Sequence, residues 1–127
     1  AVAALAENLD AMGFYPTTHA VFGVMADKDL TPILSRIGPL IDRWYFTDLP
    51  TPRAATGAAV QAQWAAQNTR KDVASSLHAD PMSALRAAIE AADPADRIVV
   101  FGSFFTVGGV LAHGTPRLQG KHLLSGA

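Results

Sequence analysis

The sequence contains no cysteine, which excludes a disulfide framework, a thiolate nucleophile and a thiolate metal site. Long apolar runs are also absent. The clearest one, Ile98–Phe101, is far shorter than the roughly 20 residues that a membrane-spanning helix needs. No charged stretch precedes an apolar one at the amino terminus, so no signal peptide is recognisable. We therefore expect a cytoplasmic protein without a membrane partner.

The sequence also lacks an excess of charge of either sign. Ten basic and eleven acidic residues nearly cancel and are scattered along the 127 residues. Nucleic-acid binding draws on a concentrated basic surface, and only Arg70 and Lys71 are adjacent basic residues here, so no nucleic-acid partner is expected. Half of the residues are apolar, which is typical of a globular domain with a buried core. No repeat or linker interrupts the chain, and one domain over residues 1–127 is the simplest interpretation.

Helical and strand-like segments alternate along the chain. The apolar spacing from Val2 to Met12 predicts a helix that Gly13 ends. Later helices are predicted to begin at the helix-start signals Thr31-Pro32, Thr51-Pro52 and Asp80-Pro81 and at Phe104, the last running to about residue 113. Strands are predicted at residues 20–25, 44–46, 73–76 and 98–101, and the tail from Gly114 is predicted to be loop. This alternation predicts an α/β fold with a mostly parallel sheet and helices on both faces, although it does not give the strand order.

Ligands of open α/β sheets bind beyond the carboxyl ends of the strands, and three segments there carry unusual residues. Asp27, Lys28 and Asp29 follow the first predicted strand and can orient a charged ligand. The plainer interpretation is a solvated loop whose Asp29 interacts with the next helix. Arg53, predicted in the first turn of a helix, is unfavourable beside the helix dipole, and so can be either an anion clamp or an ordinary surface residue.

The third segment leads from the last predicted strand through Gly102 and Ser103 into a helix. A hydroxyl and free N–H groups at a helix N-terminus readily receive a carboxylate or phosphate, although Ser103 can also simply cap its own helix. No phosphate loop, G-x-G-x-x-G or G-x-S-x-G pattern occurs, and the four histidines lack metal-binding spacing; His19 is interpreted as structural. The sequence thus predicts ligand-binding loops without a catalytic residue or a metal site.

Three of these stretches resemble one known family. They are residues 19–29 (H-A-V-F-G-V-M-A-D-K-D), the Pro52-Arg53-Ala54 segment and residues 100–110 (V-F-G-S-F-F-T-V-G-G-V). In order and spacing they resemble the C-terminal domain of bacterial bifunctional folylpolyglutamate synthase/dihydrofolate synthases, in the Mur ligase superfamily. The resemblance implies a Rossmann-like domain that closes over an N-terminal ATPase domain of the same polypeptide.

The resemblance also implies an activity. The family activates a pterin-linked carboxylate as an acyl phosphate with ATP and Mg²⁺, and the amine of glutamate then forms the amide. By this analogy Ser103 contacts a glutamate carboxylate, Lys28 and Asp27 face the interdomain cleft, and Arg53 assists in holding an anion. The family's nucleotide- and metal-binding residues lie mainly upstream of the helix that opens this chain. The 127 residues alone are therefore expected to bind neither ATP nor Mg²⁺ and to be inactive.

Two other hypotheses remain open on the sequence. A peptidoglycan-precursor Mur ligase belongs to the same superfamily but uses other substrates, and substrate choice does not follow from spacing. A noncatalytic α/β interaction module, such as a receiver-like domain, has the same fold class. A receiver domain has an acidic pair after its first strand and a phosphorylatable aspartate at the end of a central strand. In this sequence only Asp48 is placed near the end of a later predicted strand.

Overall fold

The computed structural model describes residues 2–13, 15–111 and 122–126. Within them, strands and helices alternate as expected for an α/β domain. The helices are α1 Val2–Ala11, α2 Leu30–Ile37, α3 Gly57–Gln67, α4 Pro81–Ala91 and α5 Phe104–Leu111, with a short 3-10 turn at Gly38–Leu40. The strands are β1 Thr18–Phe22, β2 Arg43–Thr47, β3 Ala74–His78, β4 Arg97–Phe101 and β5 His122–Gly126.

All described strand pairs are parallel, and the sheet order is β3-β2-β1-β4-β5. Phe22 at the end of β1 lies level with Phe46 of β2 and with Phe101 of β4, so these strands end close together at one edge. The predicted mostly parallel sheet is confirmed.

The sheet buries both faces, as the alternation of side chains along a strand requires. On one face Phe22, Trp44 and Phe101 pack with α1, α2 and α3, and the rings of Trp44 and Phe46 stack with centroids 5.2 Å apart. On the other face Val21 and Val100 pack with α4. Helices therefore cover both faces, as predicted.

Two predicted helix starts are wrong. Helix α2 begins two residues early, because the side chain of Asp29 accepts a hydrogen bond of 3.3 Å from the Thr31 N–H and supplies the N-cap. Helix α3 begins at Gly57 rather than at Thr51-Pro52, with Thr56 as its N-cap. A Cβ at position 57 would lie 3.3 Å from the backbone of Phe46, a tight contact, so glycine favours this close approach of the helix to β2. The predicted start of α4 is confirmed, since Asp80 accepts from the Ser83 N–H at 2.8 Å.

The carboxyl-terminal tail departs from the loop prediction. Residues 122–126 form β5, whose backbone pairs with β4 so that Leu123 lies opposite Ile98. The strand forms because its backbone hydrogen-bonds to β4 in parallel. This is a tertiary effect that the local residue preferences do not predict. Residues 112–121, which include the predicted end of the last helix and the start of the tail, lie outside the described residues. Across the described chain, no helix has the length and apolar character that crossing a membrane would require.

Candidate ligand-binding edge of the sheet

The order of the strands defines one edge of the sheet as the candidate site. After β1 the chain continues to β2 and β3 on one side and then returns to place β4 on the other side of β1. The carboxyl ends of β1 and β4 therefore flank the point where the direction of winding changes. Ligands of open α/β sheets bind in the crevice at such a point.

The turns that leave β1 and β4 are in direct contact. Gly102 has φ +120°, a conformation that side chains rarely adopt, and a Cβ there would clash with the carbonyl oxygen of Gly23 and lie 2.9 Å from the ring of Phe22. A Cβ on Gly23 would in turn lie 2.9 Å from side-chain atoms of Thr47 and Leu49. Glycine at position 102 lets the turn after β4 lie against the turn after β1, and glycine at position 23 lets the turn after β1 lie against the end of β2.

Ser103 begins α5 at this edge and is 8 % exposed. Its Oγ accepts a hydrogen bond of 3.3 Å from the Thr106 N–H and lies 3.2 Å from Thr106 Oγ1. The single hydroxyl proton of Thr106 is donated to the Gly23 carbonyl oxygen at 2.6 Å. Ser103 is therefore the donor in the hydroxyl pair, because a hydroxyl has only one proton to give.

This arrangement makes Ser103 a cap of its own helix, as the plainer interpretation predicted. A ligand carboxylate can take the Ser103 proton only if the hydroxyl turns away from Thr106. The Thr106 N–H is already bonded to Ser103, whereas the N–H groups of Phe104 and Phe105, at the start of α5, have no acceptor within the helix. A carboxylate at this edge thus meets backbone N–H groups and one hydroxyl that can be redirected.

The loop after β1 is exposed. A backbone hydrogen bond of 3.1 Å from the Lys28 N–H to the Met25 carbonyl closes a turn. Asp29 caps α2, which confirms the plainer interpretation for that residue. The side chains of Asp27 and Lys28 are exposed and form no ion pair with any residue in the described parts of the chain. Both charges are available to a ligand.

Arg53 reaches the same edge for a reason that the sequence did not indicate. It lies in a turn before α3 rather than in the first turn of a helix, so the expected conflict with the helix dipole does not exist. An isolated antiparallel bridge joins Met25 to Ala54, and the Ala26 N–H donates to the Arg53 carbonyl at 2.8 Å. This bridge brings the exposed Arg53 beside the loop that carries Asp27 and Lys28.

The four predicted site residues therefore lie on loops of one edge, but they are not a preformed cluster. Within the described residues no hydrogen bond or ion pair links the side chains of Lys28, Arg53 and Ser103. Three charged side chains are exposed, whereas the serine is buried against Thr106. A ligand or a second domain would have to draw the exposed charges together.

Sequence reasoning missed the residues that hold this edge in shape. Thr106, fully buried, ties α5 to the end of β1, although it stands within the motif that carried the resemblance. Asp48, just after β2, accepts a hydrogen bond of 2.7 Å from the Gly57 N–H and so fixes the start of α3. A polar residue directly after a buried strand was the available signal for Asp48.

His19 lies at the other end of β1, away from the candidate site, and its predicted structural role fits its surroundings. Its Nε2 is 3.0 Å from Asp96 Oδ2 and its Nδ1 is 2.9 Å from the Tyr45 hydroxyl, all within the core. Burial alone would raise the pKa of Asp96, but hydrogen bonds from His19 and from the Asp93 N–H hold this pKa below its usual value. Burial raises the pKa of Tyr45.

A magnesium site does not fit the part of the chain that the structure describes. In residues 2–13, 15–111 and 122–126 no three His, Asp or Glu side chains come together in a way that could hold a metal ion. The exposed Asp27 and the capping Asp29 do not form such a set.

Comparison with known proteins gives one family. The model of the family described as "Mur ligase, glutamate ligase domain" matches residues 1–104. The dihydrofolate synthase/folylpolyglutamate synthase of Buchnera aphidicola (subspecies Acyrthosiphon pisum) is 28 % identical over 103 residues, which are 81 % of this chain and 24 % of that protein.

Solved structures agree in fold. E. coli FolC in complex with DHPP and ADP superposes with a TM-score of 0.78 at 26 % identity, over 88 % of this chain and 25 % of that one. A bifunctional folylpolyglutamate synthase/dihydrofolate synthase with Mn, AMPPNP and L-glutamate bound gives a TM-score of 0.73 at 29 % identity, with the same coverage of 88 % and 25 %. The chain thus spans about a quarter of the length of the relatives that it matches.

Proposed function

Because this chain belongs to the family of Mur ligase glutamate ligase domains, we propose that residues 1–127 are the C-terminal domain of a longer, two-domain, ATP-dependent ligase. The reaction is the addition of L-glutamate to dihydropteroate, to tetrahydrofolate or to both. The domain supplies the glutamate side of the cleft between the two domains. The enzyme is cytoplasmic and its partners are small molecules and its own N-terminal ATPase domain.

One observation carries the proposal. The turns after β1 and β4 touch through Gly23 and Gly102, so the segments that hold Lys28 and Ser103 open at one edge. This edge is the winding-change point at which α/β sheets bind ligands. The relative with L-glutamate bound has the same fold over 88 % of this chain, which supports glutamate as the ligand.

The chemistry of the edge suits a dicarboxylic amino acid. Lys28 and Arg53 are exposed cations that can each hold a carboxylate, and Asp27 can receive the ammonium group before it loses its proton and attacks. Ser103 and the N–H groups that begin α5 bind a carboxylate at a helix N-terminus. Fixing both carboxylates orients the amine, which lowers the entropic barrier of attack on an activated carboxylate. The described residues of the chain contribute positioning, and the chemical step uses groups from elsewhere.

ATP and Mg²⁺ belong to the proposed whole enzyme. Relatives have been solved with ADP and with AMPPNP and Mn. The described residues of this chain hold no cluster of metal ligands. We therefore assign the main nucleotide and metal contacts to the ATPase domain. The relatives named above are folate enzymes, which favours the folate branch over a peptidoglycan-precursor ligase or a noncatalytic module.

The test uses the longer polypeptide that carries this domain together with an ATPase domain. Ser103→Ala should raise the KM for glutamate about tenfold, the value of one hydrogen bond to a charged group, while the KM for ATP stays nearly constant. Ser35→Ala, in the exposed part of α2, is the control and should leave both constants unchanged. An unchanged KM for glutamate in Ser103→Ala would reject the assigned site.

A second measurement tests whether the reaction requires the ATPase domain. The 127-residue chain alone, mixed with glutamate, a folate, ATP and Mg²⁺, should release no ADP. Steady ADP release that depends on glutamate would show that the chain contains its own nucleotide site, contrary to the proposal.

A further inference from the structure

A polar cavity of about 250 Å³, widely open to solvent, lies at the edge of the sheet opposite to the proposed glutamate site. Thr18 and Arg97, the first residues of β1 and β4, line it together with Asp10 of α1, Tyr15 and Asp42. The volume is below that of typical drug-sized pockets and suits a ligand of a few heavy atoms.

Arg97 is the central residue of this cavity. It is 6 % exposed and is held by a set of contacts. Nε donates a hydrogen bond of 2.6 Å to Thr18 Oγ1, and Nη1 donates one of 2.8 Å to the Leu9 carbonyl at the end of α1. The guanidinium carbon lies 5.0 Å from the centre of the Tyr15 ring. These contacts fix the guanidinium without using all of its donors.

Nη2 of Arg97 has no hydrogen-bond partner in the described residues, and Arg97 forms no ion pair there. Asp42 is close but already engaged. Its Oδ2 accepts from the Thr18 N–H at 2.7 Å, and its Oδ1 accepts from Arg70 Nη2 at 3.1 Å. The carboxylates of Asp42 and Asp10 attract the guanidinium without bonding to Nη2. A carboxylate that enters the cavity can therefore accept a charge-assisted hydrogen bond from this unused donor.

The rim of the cavity adds the opposite charge. Asp10 is exposed, lines the cavity and forms no ion pair with any described residue. A simple anion would be attracted by Arg97 and repelled by Asp10 and Asp42, whereas a ligand that also carries an ammonium group is attracted by the carboxylates as well. An α-amino acid carries these two groups on one carbon and is small enough for the cavity.

We propose that this cavity is a second binding site, for a small free α-amino acid, with the carboxylate on Arg97 Nη2 and the ammonium group at Asp10. The site lies across the sheet from the proposed glutamate site and shares none of its residues. It does not depend on the proposed function.

The experiment is a titration of the ¹⁵N-labelled chain with L-alanine. Binding is monitored by NMR through the amide signals of Gly13 and Thr18 and the Arg97 Nε–H signal. L-alanine should shift these signals saturably and leave Gly23 and Gly102 at the opposite edge unmoved. Propionate, which has the same carbon chain without the ammonium group, should bind more weakly. Equal affinities for the two compounds, or no saturable shift at Gly13 and Arg97, would overturn the proposal.

Two variants of α1, one at the rim of the cavity and one away from it, test the ammonium contact without disturbing the buried guanidinium. Asp10→Asn should weaken L-alanine binding about two- to fivefold, as expected for an exposed charge pair, and should not weaken propionate. Glu7→Gln removes another exposed carboxylate of α1, one that pairs with Arg36, and should leave L-alanine binding unchanged. An equal loss in both variants would assign the effect to the general charge of α1 and reject the site.

Discussion

The hydroxyl of Thr106 donates a hydrogen bond of 2.6 Å to the carbonyl oxygen of Gly23 and so ties the first turn of α5 to the end of β1. The residues are 83 positions apart in the chain, and the bond is fully buried. Because the same hydroxyl faces Ser103 Oγ, this contact also decides where the Ser103 proton points.

Thr106→Val should therefore destabilise the fold. Valine has nearly the same shape but leaves the Gly23 carbonyl without its partner, and an unsatisfied buried acceptor costs about 1 to 3 kcal/mol. Urea denaturation measures the loss. Thr106→Ser keeps the hydroxyl and removes only a methyl group, so it should cost about 1 kcal/mol. A valine variant that is as stable as the serine variant would show that the hydrogen bond contributes little.

Gly102→Ala should be among the most damaging single substitutions. Its φ of +120° strains any side chain, and the new Cβ would clash with the Gly23 carbonyl and the Phe22 ring. We expect a loss of about 3 kcal/mol or more in the free energy of unfolding, from backbone strain and overpacking together. Gly13→Ala is the matched control, since Gly13 has φ +86° but no atom within 4 Å of the place that a Cβ would take. It should lose only the contribution of backbone strain, about 1 to 2 kcal/mol, in the same thermal or urea experiment.

The Asp96–His19 pair predicts how stability depends on acid. The pKa of Asp96 is lower in the folded chain than its unfolded value of 3.8, so near and below pH 4 the unfolded chain binds more protons. Stability from this group is complete above that value and is lost as the pH falls through the folded pKa. Urea midpoints should therefore drop steeply below about pH 4.

Asp96→Asn tests the assignment. The variant should lose about 1 to 3 kcal/mol at pH 7, because the buried His19 ring and the Asp93 N–H lose a charged acceptor. It should then lose less than the parent chain on going to low pH. Glu90→Gln, an exposed carboxylate of α4, should keep the parent's pH profile. An identical acid dependence in Asp96→Asn and the parent would show that other carboxylates control the transition.

Lys28→Gln is expected to weaken glutamate binding in the longer polypeptide. If Lys28 holds a glutamate carboxylate, its replacement should raise the KM for glutamate about two- to fivefold, as expected for an exposed charge pair. Added salt should narrow the difference, because an exposed charge is screened. Lys71→Gln changes an exposed lysine between α3 and β3 and should have no effect on KM. Equal changes from the two lysines would point to net charge rather than to a specific contact.

The sequence predicted the sheet well where local and tertiary preferences agree. Ile98–Phe101 is continuously apolar, and β4 is in fact buried on both faces between β1 and β5. Asp80-Pro81 was correctly interpreted as a helix start, because its capping hydrogen bond is local. Signals that act within three or four residues are visible in one sequence.

The sequence predicted the structure poorly where contacts between residues far apart in the chain determine it. Thr51-Pro52 has the composition of a helix start, yet the close approach of Gly57 to Phe46 and the hydrogen bond to Asp48 move the start to Gly57. Residues 122–126 carry no strong strand pattern and are held by pairing with β4. The position of Arg53 depends on the bridge between Met25 and Ala54, which no spacing rule reveals.

In the candidate site, too, the local features were predictable from the sequence and the long-range contacts were not. The motif around Ser103 indicated a helix N-terminus, and the structure has one there. The competition between Thr106 and a ligand for the Ser103 hydroxyl could not be seen, because it depends on a carbonyl in β1's exit turn. The four site assignments remain predictions for the experiments above.

The pairing of β1 with β4 has a consequence for how the molecule is made. Phe22 and Phe101 are neighbours in the sheet, yet β2, β3 and three helices lie between them in the chain. On a ribosome, the segment after β1 is synthesised well before β4, so the candidate site cannot form until β2, β3 and the helices between them have been made. Closing so long a loop is entropically unfavourable, so the edge should be assembled late in folding. A nascent chain that stops after α4 would contain Lys28 and Arg53 but neither Ser103 nor the N-terminus of α5.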